Sequence, residues 1–263
     1  MCCATYLVFV SPAAGEDEEL LVGGNASGRV VRKGRTVRKP WLPTTERTVA
    51  YMTALAGRGI DLPLPHGRDE LGRLVLDYVA GRLAEDGEPL EVDVVRAVGA
   101  LVRSIHDASA GLEVPADWEV LIPAKDPDLL CHNDLATWNL IIDGDRLVFV
   151  DWDGAGPSTR LWDLAYAAIS FAHLFPGAEV ASCRDRLAAF ADGYGADAGL
   201  RRALPGALSE RARAMHDLLR RAHQVGRQPW AAMYADGHGQ HWLDTTEFVA
   251  GHRREWSQAV EAR

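Results

Sequence analysis

The chain has 263 residues, 48% hydrophobic and 25% charged, with a net charge of −9. That length allows one large domain or two small ones around a sizeable core. The acidic balance argues against a nucleic-acid partner, which needs a basic surface, and no apolar run approaches the ~20 residues of a membrane span.

The charge is uneven. Residues 1–79 carry 10 Lys and Arg against 9 Asp and Glu, and the rest carries 18 against 28. An acidic second part is compatible with a cationic small substrate, although acidity also serves solubility. Cys2, Cys3, Cys131 and Cys183 show neither zinc spacing nor a disulfide framework, which favours the reducing cytoplasm. The opening MCCATYLVFVSP lacks a basic n-region and reads as a first strand or a disordered leader rather than a signal peptide.

Taken in order, residues 20–22 are apolar and lead into a glycine-rich turn, Gly23-Gly24-Asn25-Ala26-Ser27-Gly28. Residues 29–32 and 35–39 alternate polar with apolar around Lys33-Gly34, and Pro40 closes the run. Three antiparallel strands are expected. Small residues in the first turn let backbone N–H groups approach a phosphate. Arg38 and Lys39 alternate, so only one of them points into any cleft the sheet covers. Residues 44–56 have helical periodicity and start with Glu46 in the first turn. Residues 74–79 form an apolar strand that runs into a break at Ala80-Gly81.

Residues 92–108 form an amphipathic helix ending at His106-Asp107, where a histidine complements the helix dipole. Residues 111–128 are loop-like. Then comes the densest stretch, residues 130–153: LCHNDLATWNLIIDGDRLVFVDWD. Asp134 lies in a loop, with Asn139 five residues on. Two apolar runs flank the turn signal Asp143-Gly144-Asp145, and the second ends on Asp151-Trp152-Asp153. The hairpin folds these oxygen-bearing groups back on one another. Such a set suits phosphoryl transfer, which needs a held hydroxyl, a group to take its proton, and Mg²⁺ on the phosphates.

Further helices are expected over residues 161–174, 179–194, 208–225 and 245–259. A Trp-, Gly- and Pro-rich connection covers 226–239.

The spacing His132, Asp134, Asn139 and then a strand-end Asp151 resembles the catalytic core of the aminoglycoside phosphotransferase and choline kinase family, relatives of the protein kinases. The resemblance covers roughly residues 20–175. Asn133 departs from the Gly or Arg usual there, and Trp152 stands where protein kinases carry Phe. The resemblance implies an α+β, bilobal protein-kinase-like fold. A nucleotide-binding lobe would span 1–79, with an antiparallel sheet and one helix. A mainly helical catalytic and acceptor-binding lobe would span 80–263. It implies Asp134 as catalytic base, with Asn139 and Asp151 as Mg²⁺ ligands. ATP would be held by the Gly24, Asn25 and Ser27 turn and by Lys39, with Arg38 as the alternative cation. Glu46 would pair with that cation or merely start its helix. Adenine would bond the hinge backbone at Asp77 and Val79. Asp163 is read as a structural carboxylate on the catalytic loop, and Asp153 as a supporting group. The C-terminal helices would form the acceptor pocket, with Trp230, Tyr234, Asp236, Trp242, Asp244 and Glu247 as candidates that ordinary packing also explains.

The function so implied is transfer of the γ-phosphate of ATP to a small-molecule hydroxyl, an aminoglycoside or other cationic antibiotic first. Choline-, homoserine- or sugar-like acceptors stay open. A non-catalytic binding or immunity protein on the same scaffold is the competing class. The presence of the base, both metal ligands and a strand cation weighs against it.

Overall fold

The computed structural model describes residues 18–21 and 29–261. Gly24, Asn25 and Ser27, proposed for the phosphates, lie outside the described residues, as do Cys2 and Cys3.

The first part is an antiparallel sheet with one helix. Strands β1 (Glu19–Leu21), β2 (Val30–Lys33) and β3 (Thr36–Lys39) follow one another, then helix α1 (Thr45–Gly57), then β4 (Pro65–Arg68) and β5 (Leu74–Asp77). The sheet order is β1-β2-β3-β5-β4, so β3 pairs along its length with β5, Thr36 opposite Asp77 and Lys39 opposite Leu74. The helix inserted after β3 buries Thr45, Thr48, Tyr51, Met52 and Leu55 and exposes Glu46, Ala50, Thr53 and Gly57. β1 is tied to the β4–β5 turn by Arg73, which bonds Glu18 and Asp69 at 2.7 Å each.

The remainder is mainly helical. A short β6 (Arg82–Leu83) precedes α2 (Val92–Ser109), and β7 (Leu129–Cys131) precedes the hairpin β8 (Leu140–Asp143) and β9 (Arg146–Phe149). β6 joins that hairpin to make a three-stranded sheet. β10 (Gly156–Ser158) pairs antiparallel with β7. Helices α3 (Arg160–Phe171), α4 (Val180–Tyr194), α5 (Ala198–Val225), α6 (Trp230–Met233), α7 (Gly239–Gly251) and α8 (Arg253–Glu261) complete the chain.

Two differences from the expected elements have physical causes. α5 starts ten residues earlier than residue 208, because Asp197 caps it by accepting from Leu200 N–H at 2.8 Å. The missing N–H of Pro205 is tolerated inside that helix. The anticipated helix over 245–259 is two helices, broken where His252 leaves helical geometry after Gly251.

The core is continuous from Met52 and Leu55 through Val98, Val102 and Ile105 to Phe171, Phe190 and Trp256. Each such fully buried side chain contributes roughly 1.5–3 kcal/mol. α2 and α4 meet unusually closely, because Gly99 lies against the Phe190 carbonyl and Gly193 against the Arg96 carbonyl. A Cβ at either position would overlap those backbone atoms.

Candidate active site

The site is built on the loop between β7 and β8 and on the end of β9. Asn133 adopts a left-handed conformation, φ 65°, which swings the loop toward the end of β9. Its backbone N–H donates to Asp163 Oδ1 at 2.8 Å, and its side-chain amide donates to the carbonyls of Gly154 at 3.2 Å and Gly156 at 3.3 Å. His132 is fully buried. Its Nδ1 accepts from Asp134 N–H at 3.3 Å, so its Nε2 carries the proton donated to the Val150 carbonyl at 3.1 Å. One imidazole thus links the loop to the residue before Asp151.

Asn139 lies at the end of a single 3-10 turn. Its amide nitrogen donates to the Asp134 carboxylate at 2.8 Å and to the Asp134 carbonyl at 2.9 Å. Those bonds leave the side-chain oxygen on the other side of the amide. The Asn139 carbonyl accepts from Val150 N–H at 2.8 Å, which holds the turn beside the start of the Asp151 segment. Asp151 is itself left-handed, φ 59° and ψ 62°, a conformation that costs of order 1 kcal/mol or more in a non-glycine residue and is found at functional sites. The buried Trp152 holds it there. Its ring packs on Tyr51 and His132, and its Nε1 donates to the Phe149 carbonyl at 3.0 Å.

Lys39 reaches in from the sheet. Its ammonium lies 2.6 Å from Asp151 and 2.7 Å from Asp153, with the residue only 4% exposed. Burial alone would lower its pKa, but the two carboxylate charges outweigh burial and raise it. Burial raises the pKa of Asp134, and the charge of Asp151 pushes the same way, against His132, the Tyr166 hydroxyl and Asn139. A carboxylate so raised is a better proton acceptor than an ordinary aspartate.

Asp134, Asn139, Asp151 and Lys39 therefore come together. Arg38 does not join them. It lies on the other face of β3, bonded to the Thr36 hydroxyl and 3.9 Å from Asp69. Glu46 is exposed on the outer face of α1, while Lys39 meets Asp151 and Asp153 instead, so the geometry fits Glu46 as a helix-start carboxylate. At the hinge, Asp77 donates its N–H to Leu64, and its carboxylate accepts from Leu64 N–H and approaches His66. Tyr78 donates its N–H to Arg35. Val79 lies beyond these bonds. A cavity of ≈ 430 Å³ opens there, between Leu62, Asp77, Tyr78, Val79 and Arg146, and it is lined by neither Asp134 nor Asp151.

Asp163 is fully buried under the loop. Its second oxygen pairs with His106 at 3.0 Å, and the other nitrogen of His106 meets the Tyr194 hydroxyl at 2.9 Å. Both side chains are thereby engaged in holding the loop. Two groups at the site have weaker sequence signals. Tyr166, whose hydroxyl neighbours Asp134, lies three residues after Asp163 and so on the same helix face. Arg211 carries no motif at all.

Residues 112–205 match the sequence model of the APH phosphotransferase enzyme family. The resemblance to that family is borne out. Protein LicA of Haemophilus influenzae is 46% identical over 44 residues, 17% of this chain and 16% of LicA, so the match spans less than a fifth of either protein. Two solved structures share the protein-kinase-like fold across nearly the whole chain. Amicoumacin kinase hAmiN, in complex with AMP-PNP, Ca²⁺ and Ami, is 16% identical. It aligns with a TM-score of 0.64 over 93% of this chain and 89% of its own. Choline kinase LicA from Streptococcus pneumoniae is 15% identical, with a TM-score of 0.58 over 89% and 93%. The fold is α+β and protein-kinase-like, as the phosphotransferase resemblance implies. Among the described residues no helix is long and apolar enough to cross a membrane.

Proposed function

We propose that this protein is a kinase of small molecules that moves the γ-phosphoryl group of ATP to a hydroxyl. The observation that carries this is the Asp134–Asn139 bond beside the Lys39–Asp151 pair. It sets a proton acceptor, a neutral oxygen ligand, an anionic oxygen ligand and a cation in one place. In this proposal the Asp134 carboxylate takes the proton of the acceptor hydroxyl as its oxygen bonds the γ-phosphorus. The bond from that phosphorus to the β,γ-bridging oxygen breaks, and ADP leaves with the electron pair. Lys39 holds phosphate oxygens from the sheet side.

The donor set fits a hard divalent cation. Asp151 and the Asn139 side-chain oxygen are oxygen ligands, and Asp151 and Asp153 gather enough negative charge to hold a buried ammonium. These residues would hold Mg²⁺, which when bound neutralises phosphate charge. That hAmiN was captured with AMP-PNP and Ca²⁺ supports nucleotide and divalent-metal use.

For the acceptor we propose an amine-bearing alcohol, a cationic antibiotic of the aminoglycoside kind first. The acidic second part of the chain supports a cationic ligand. So do the aromatic groups Trp230, Tyr234 and Trp242, although Trp242 is buried against Tyr166 and is engaged in packing. The likeness to choline kinase LicA from Streptococcus pneumoniae favours a second reading, a choline-like acceptor.

The test is incubation with Mg-ATP and a panel of aminoglycosides, other antibiotics, choline and small alcohols, read by mass spectrometry for a gain of about 80 Da, one phosphoryl unit. Asp134→Asn is expected to abolish the gain while keeping the rise in melting temperature with Mg-ATP, and Asp151→Ala to abolish both. Wild-type protein that shows neither a nucleotide-dependent rise nor any phosphorylated acceptor overturns the kinase reading in favour of a binding or immunity protein.

A further inference from the structure

Arg211 lies in the middle of α5, 78 residues beyond Asn133, yet its guanidinium is inside the catalytic loop. The residue is 4% exposed. Nη2 donates to the Asn133 carbonyl at 3.3 Å, and Cζ stands 4.2 Å from the centroid of the Tyr166 ring and 5.6 Å from that of Trp162. The Tyr166 hydroxyl in turn neighbours the Asp134 carboxylate. Nη1 is buried and has no hydrogen-bond partner among the described residues.

A buried cation without a direct carboxylate partner costs several kcal/mol, and an apolar residue of similar volume would fill the space at lower cost. Its opposite charges, Asp134 and Asp163, act on it only at longer range. Packing alone gives no reason for a guanidinium here. Its location does. The planar cation covers the Tyr166 ring, whose hydroxyl neighbours the base, and it ties down the backbone one residue before that base.

We propose that Arg211 is a positioning residue for phosphoryl transfer, fixing Asp134 through the Tyr166 hydroxyl and the Asn133 backbone where the acceptor hydroxyl meets it. The inference rests on the kinase reading of Asp134. α5 also packs on α6 and α7, the elements to which the acceptor pocket is assigned, so the same residue ties the acceptor side of the molecule to its base.

Arg211→Met, Arg211→Lys, Tyr166→Phe and the double variant Arg211→Met/Tyr166→Phe test it. ADP release from Mg-ATP is followed with the acceptor that gains mass in the panel above, or with water, as the receiving group. Arg211→Met is expected to lower kcat ~10- to 100-fold, as misplacement of a reacting group does, with the KM for ATP within about twofold. Arg211→Lys, which keeps charge but loses the planar fork, recovers part of that loss. Because Arg211 and Tyr166 act on one group, the double variant is no more than about twofold slower than Arg211→Met alone. A packing role would instead lower the melting temperature with kcat retained, or give multiplying losses in the double variant, and either result overturns the proposal. If Arg211→Met does not fold, Arg211→Lys alone and with Tyr166→Phe gives the same comparison. Wild-type protein that releases no ADP takes down the kinase reading and this inference with it. Wild-type turnover matched by Arg211→Met takes down the role of Arg211 alone.

Discussion

Lys39 and Asp151 are 112 residues apart in sequence, and their charged groups are 2.6 Å apart in space. The contact joins the last residue of β3 to the segment after β9, so the sheet and that segment meet through an ion pair, doubled by Asp153. The carboxylates hold the ammonium's pKa up against burial, and the ammonium between them offsets their mutual repulsion.

Lys39→Met is therefore expected to destabilise the protein by about 2–4 kcal/mol, because it leaves two crowded carboxylates without their cation. Mg²⁺ should raise the melting temperature of this variant more than that of wild type, since a divalent ion can take the vacated role. Thermal unfolding with and without Mg²⁺ measures both effects. A wild-type-like melting temperature for Lys39→Met in the absence of metal would show that the pair contributes nothing.

Asn133 does two things that two substitutions can separate. Its left-handed backbone favours glycine, and its amide bonds two carbonyls after Asp151. Asn133→Ala keeps the strain and loses the bonds, costing about 2–3 kcal/mol. Asn133→Gly loses the bonds but relieves the strain, so it should cost about 1 kcal/mol less. Urea unfolding of the two variants gives the difference, and equal stabilities would remove the conformational part of this account.

What could be read beforehand follows from how local each signal is. Asp134, Asn139 and Asp151 are gathered by one short hairpin, so their spacing alone carries the arrangement. Alternation on β3 shows that Arg38 and Lys39 point apart, but not which face the second lobe covers. That depends on packing between distant segments. α5 was masked by Pro205 and its flanking glycines, though Asp197 was an available cap signal. Arg211 left no trace, because its contact with Asn133 spans 78 residues and follows no periodic pattern.

The bridge from Arg73 to Glu18 and Asp69 predicts a pH dependence. The bond from Arg73 lowers the pKa of Glu18. For Asp69 burial works against the shift, but bonds from Arg73 and the Leu71 N–H prevail. Carboxylates depressed in the folded state stabilise it fully above their unfolded pKa values, and that stability is lost as pH falls through the folded ones. Arg73→Ala should therefore cost about 1–3 kcal/mol near pH 7 and progressively less toward about pH 3. Denaturant titrations of both proteins across that range check the sign. A gap that widens on acidification would contradict it.

Among the glycines of the described residues, those of the seam between α2 and α4 leave the least backbone room for a Cβ. Gly99→Ala or Gly193→Ala must push two backbones apart, and each is expected to cost about 3 kcal/mol. Gly57→Ala, with open space around its Cβ, should be neutral or stabilising by up to about 1 kcal/mol. Urea midpoints of the three variants rank them, and a seam variant as stable as Gly57→Ala would mean that the helices can separate freely.

The bond from Arg211 to Asn133 also sets a schedule for synthesis. A chain that has left the ribosome only as far as residue 205 already contains the whole stretch that matches the family. It still lacks the guanidinium that clamps the loop from α5. Translation must run past that helix before the loop acquires this anchor.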